Sequence, residues 1–104
     1  MKMMFLGSYT PNALKGLIGG SDRKAAVEAI LDQVGGTLDQ MLFTRGEYDI
    51  VVIASAPDNT NLPGITAALR ASGAFEKAVA LEEVDIKEVV ETAQKISGAY
   101  KPAG

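Results

Sequence analysis

The chain holds 104 residues, 47% hydrophobic and 22% charged, the composition of one soluble globular domain with a single core and little spare chain for an elaborate site. Ten Lys and Arg against thirteen Asp and Glu leave a net charge of −3 without a basic block, which excludes a phosphate-reading nucleic-acid face and a basic membrane-surface helix. The absence of Cys and His excludes disulfides, a thiol nucleophile, a Ser-His-Asp triad, imidazole-bound zinc and His-ligated haem, and leaves only carboxylate sites of the magnesium, calcium or manganese kind.

Residues 2–9 carry Met3, Met4, Phe5 and Leu6 without helical periodicity and read as a strand. The apolar run stops at Ser8, too early for a signal peptide, and no stretch approaches the 18 residues of a membrane span, so the expected compartment is the cytoplasm. Thr10-Pro11 then supplies a cap and a first helical position. Gly16, Gly19 and Gly20 interrupt that helix, and Ser21 offers a fresh cap for a main helix over 21–34. In it Ala26, Val27, Ile30, Leu31 and Val34 form one apolar stripe suited to lying on a sheet.

Gly35-Gly36 ends the helix, and strands over 37–44 and 48–56, joined by Arg45-Gly46-Glu47, make an antiparallel hairpin. Strand 48–56 sets Tyr48, Ile50, Val52 and Ala54 on one face and Asp49, Val51, Ile53 and Ser55 on the other, so both faces are apolar at the centre and both need cover. Pro57-Asp58 opens a helix near 59–72, weakened by Pro63-Gly64, with Ile65, Ala68, Leu69 and Ser72 on one face and Gly73 as its cap. Residues 75–83 alternate as a last strand. Asp85 and Glu88 form a capping box for a final helix to about Ser97, striped by Ile86, Val89, Val90, Ala93 and Ile96.

The order is β-α-β-β-α-β plus one helix, an α+β, ferredoxin-like arrangement with a four-stranded antiparallel sheet. Residues 1–98 are set as the single domain and 99–104 as a loose tail. Helices cover only one sheet face in this topology, and an apolar second face is costly in water. The expected partner is therefore a second copy, packed sheet to sheet as a homodimer, with higher assembly open.

The same topology brings the end of residues 2–9 to the start of residues 48–56. Tyr9, Arg45, Glu47, Tyr48 and Asp49 gather at one end of the sheet, with Ser8, Thr10, Thr44, Lys77 and the first helix N-terminus. Arg45 could hold a carboxylate or phosphate, Asp49 or Glu47 could act as base, and a Tyr hydroxyl could bond a developing oxyanion. The plainer alternative makes Arg45 and Glu47 solvated turn charges beside a glycine the hairpin requires, and Tyr48 a strand former packed on the core. Gly16 to Gly20 lacks the Lys-Ser or Lys-Thr pair of a phosphate loop, and capping accounts for most of Glu82, Glu83, Asp85, Glu88 and Glu91. No cofactor and no metal is expected.

Tyr9-Thr10, Ser21-Asp22-Arg23, Gly35-Gly36, Thr44-Arg45-Gly46-Glu47-Tyr48-Asp49 and Ala56-Pro57-Asp58 together give the chain a pattern that resembles the GYD-domain family of small bacterial proteins. The Gly-Tyr-Asp signature corresponds to Gly46, Tyr48 and Asp49, with Glu47 in the variable position, and the resemblance spans about residues 3–84. It implies a subunit of the dimeric α+β barrel type, with no established activity. Pro63-Gly64 within a helix and the amphipathic helix after Asp85 depart from the pattern. Two functions follow as expectations: a non-catalytic dimeric module that binds a small apolar or weakly acidic metabolite or serves assembly alone, and a cofactor-independent enzyme of monooxygenase or isomerase type acting on a small aromatic or carbonyl compound.

Overall fold

Eight elements follow one another in the computed structural model, which describes residues 1–103. They are β1 (Lys2–Tyr9), α1 (Pro11–Ile18), α2 (Arg23–Gln33), β2 (Thr37–Phe43), β3 (Ile50–Ser55), α3 (Leu62–Ala71), β4 (Phe75–Glu82) and α4 (Ile86–Ala99). The strands form one fully antiparallel sheet in the order β2-β3-β1-β4, the ferredoxin-like order, with an added C-terminal helix.

Helix starts follow from side chains that accept the first free N–H groups. Thr10 caps α1 through Ala13 N, and Asn61 caps α3 through Gly64 N. Two expectations shift here. The cap of α2 is Asp22, accepting from Ala25 N, rather than Ser21, whose hydroxyl instead accepts from Arg23. Pro63-Gly64 lies in the first turn of α3, where proline lacks no bond it would otherwise make, so it begins the helix rather than weakening it. Asp85 caps α4 by accepting from Lys87 N at 2.9 Å. The last helix continues through Gly98 and Ala99, beyond the expected end at Ser97; of the expected tail, Gly104 lies outside the described residues.

α1, α2 and α3 pack on one face of the sheet, chiefly on β1, β2 and β4 respectively. Met3, Tyr9, Leu31, Ile50, Val52 and Ala54 form the buried centre between the layers. Gly7 lets the aromatic rings close over β1: a Cβ there would come within 2.7 Å of the Phe75 ring and 2.9 Å of the Phe5 ring. Phe75 meets Phe5 edge to face at 5.3 Å and stacks on Tyr9 at 5.1 Å.

The other face is apolar and has no layer over it. Cross-strand partners share a face, so Met4 with Ile53 and Leu81, and Leu6 with Val51 and Val79, make a continuous patch that Leu42 extends beside Val51. Leu42 and Leu81 keep 43% and 50% of their surface exposed. α4 is likewise unpartnered, with no buried residue and with Ile86 69% and Ile96 59% exposed. It projects from the domain, giving a radius of gyration of 17.2 Å where a compact 100-residue chain has about 13 Å. Among the described residues no helix is long and apolar enough to cross a membrane.

Candidate functional site

The end of β1 and the turn between β2 and β3 meet as the topology requires. Gly7 pairs with Ile50, the Asp49 N–H donates to Gly7 O at 2.8 Å, and the Tyr9 N–H donates to Asp49 Oδ2 at 2.8 Å. The Ser8 hydroxyl donates to Glu47 O at 2.5 Å, and the Thr44 hydroxyl to Tyr48 O at 2.6 Å. Gly46 has φ +134°, a left-handed conformation that glycine adopts without strain. The Gly-Tyr-Asp segment thus clamps the turn onto β1: glycine makes the bend, and the aspartate carboxylate satisfies a backbone donor beyond the last ladder bond.

Of the five expected site residues, Tyr9, Glu47 and Asp49 are joined through these bonds and their neighbours. Glu47 is exposed and bonded to Lys77 Nζ at 2.9 Å, the bond that raises the lysine pKa. Arg45 is exposed at the tip of the turn, Tyr48 is half-buried beside it, and neither enters this bonding through its side chain.

A cavity of about 280 Å³ opens between the sheet and helices α2 and α3. Phe5, Val52 and Phe75 form part of its floor, and Val27, Ile30, Ile65 and Leu69 its helical walls. Tyr9, Arg23 and Ser72 are its polar residues; Arg45, Glu47, Tyr48 and Asp49 are not among the lining. Tyr9 therefore faces two ways, its backbone held by Asp49 and its ring in the cavity wall.

Burial pushes the Tyr9 hydroxyl pKa up, the Arg23 charge pulls it down, and the Asp49 charge adds to the rise. A raised folded-state pKa means that the folded protein holds this proton more tightly than the unfolded chain. The resulting stability is complete below the ordinary tyrosine pKa of about 10 and is lost as pH climbs through the raised value. Tyr9→Phe should accordingly flatten the fall in thermal stability above about pH 10. Melting curves followed across about pH 9–11 check this, and an unchanged alkaline slope would show that Tyr9 does not carry it.

Arg23 did not emerge as a site residue from the sequence, although a signal was present. It stands four residues before Val27 and seven before Ile30, on the stripe α2 turns toward the sheet, where a charge is out of place.

A family model described as GYD domain matches residues 3–95. The match reaches into α4, so most of the final helix falls within the family pattern rather than outside it. A crystal structure of 30S ribosomal protein S6 from Thermotoga maritima is similar at 20% identity and a TM-score of 0.49, over 89% of this chain and 94% of that one. No curated protein matches.

Proposed function

This chain belongs to the GYD-domain family, and from that premise we propose that it is a cytoplasmic, homodimeric module that binds a small apolar or weakly acidic molecule between helices and sheet without transforming it. The observation that carries this reading is the cavity. Its volume suits a small metabolite, its walls are almost wholly apolar, and its few polar residues are Tyr9, Arg23 and Ser72. Such a lining favours binding over acid-base catalysis, because its titratable members are a tyrosine with a raised pKa and an arginine that stays charged.

The dimer rests on a second feature. The patch around Leu6, Val51, Ile53 and Leu81 would bury against a second copy of itself, the self-complementary contact that a two-fold axis produces. α4 supports the same reading. A 14-residue helix is marginal in water when alone, and the apolar stripe through Ile86, Val89, Ala93 and Ile96 gains a packing surface when a second copy stands beside it.

Native mass spectrometry of the freshly purified protein tests both halves at once. A species of twice the 10.9 kDa chain mass carrying additional small-molecule mass is the expected result. A bare 10.9 kDa species at micromolar concentration would overturn the dimer. An enzyme acting on a small aromatic or carbonyl compound is the alternative, favoured by turnover of such a compound that Tyr9→Phe abolishes.

A further inference from the structure

Arg23 is the one charged residue that lines the apolar cavity. Its Nη2 donates to Ser21 Oγ, while its Nε is buried and has no hydrogen-bond partner among the described residues. Among those residues the ion pairs are Met1 with Asp58, Lys2 with Asp39 and Lys77 with Glu47, and none includes Arg23. A guanidinium does not shed its proton, so its charge persists in this setting. Arg23 is half-buried, so its charge keeps part of its hydration, and an anion in the cavity would supply the counter-charge that the protein does not. A carboxylate is the acceptor that matches such a group, since it offsets the charge as well as accepting the bond.

We propose that the cavity takes a small aromatic carboxylate of one or two rings, its carboxylate bound at the Arg23 guanidinium and its ring body packed against Phe5, Tyr9 and Phe75. The inference rests on the binding reading above and adds to it the class of ligand. The volume fits, because an apolar cavity of about 150 Å³ holds a benzene-sized molecule and this one has about 280 Å³. The aromatic cluster that closes over Gly7 offers ring faces and edges to a flat partner. Arginine pairs with carboxylates in planar hydrogen-bonded geometry, a specificity that a lysine ammonium at this position would lack. The Arg23 charge pulls the Tyr9 pKa down, in keeping with both side chains lining the one cavity.

The test titrates 2-naphthoate and its neutral counterpart 2-naphthamide into the full chain and into Arg23→Met and Arg23→Gln, by calorimetry, with melting curves run on each protein. The wild-type chain should bind the naphthoate at least about tenfold more tightly than the amide. Both variants should lose that preference and bind the two probes within about twofold of each other. Arg23→Met places an apolar chain in an apolar wall and Arg23→Gln keeps a donor, so loss of fold in both is not expected. Equal binding of the two probes by wild type, or a preference that survives in both variants, overturns the role of Arg23 and leaves the cavity reading standing. Failure of the folded wild-type chain to bind either probe overturns the cavity reading itself, and this inference with it.

Discussion

Asp49→Ala is expected to lower the stability of the domain by about 2 kcal/mol, a fall of about 10 °C in melting temperature for a chain of this size. The carboxylate accepts from the Tyr9 N–H at 2.8 Å, and Tyr9 is 5% exposed, so the alanine variant leaves a backbone donor unpaired where water has little access. Breaking a bond to a charged acceptor costs more than losing a neutral one, because the remaining partner bears the full penalty of its desolvation. The Asp49 backbone adds two more bonds between the turn and β1 and β2, to Gly7 O and from Thr44 N, each 2.8 Å, and the substitution loosens the segment that makes them. Asp49→Asn keeps one acceptor oxygen and should cost about half as much. Thermal unfolding followed by circular dichroism reads both. An alanine variant that melts with the wild type would show that the clamp carries no stability. Its naphthoate affinity separates the roles further: a clamp residue outside the cavity should leave it nearly unchanged once the melting temperature exceeds that of the assay.

The second large effect concerns assembly. Ile53→Lys should convert the proposed homodimer to the 10.9 kDa monomer at micromolar concentration, a loss of at least about a hundredfold in association. Ile53 sits on β3, one of the two central strands, and pairs with Met4 on β1, so the new ammonium lies in the middle of the apolar face, where pairing two sheets would strip its water. The same change leaves the cavity side untouched, since Val52 and Ala54 point there and Ile53 does not. Light scattering coupled to size exclusion distinguishes the two masses. An Ile53→Lys variant that still runs at twice the chain mass would remove the sheet face from the interface. In that case the proposed contact would run through α4, and Val89→Asp should yield the monomer.

Particular residues show how far the sequence could be read. The alternation in residues 48–56 separates Ile50, Val52 and Ala54 from Val51, Ile53 and Ser55, and the structure buries the first set and leaves the second on the uncovered face. That legibility comes from the two-residue period of a strand, which assigns faces without knowledge of the partner strands. The gathering of Ser8, Tyr9 and Asp49 at one sheet end was also readable, because an antiparallel order of β1 and β3 admits only that juxtaposition. The cap of α2 was less so. Ser21 and Asp22 are both good N-caps, and only the direction of the chain leaving Gly20 makes Asp22 the residue that reaches Ala25 N.

The order of the elements, the family, the helix-covered and uncovered faces of the sheet, and the lack of thiol and imidazole groups all follow from the residues in line, because each depends on residue type and short-range period. Three outcomes came instead from the packed molecule: Asp49 is a clamp facing the Tyr9 backbone, Tyr9 turns its ring into the cavity, and Arg23 arrives beside it without a counter-ion among the described residues. Those outcomes depend on how α2 and α3 dock on the sheet and on the register shift at Tyr9 and Phe75, contacts between segments far apart in the chain. A period of two or about 3.6 residues says which side of an element is apolar. The docking of layers says which polar atoms on that side are left without a partner.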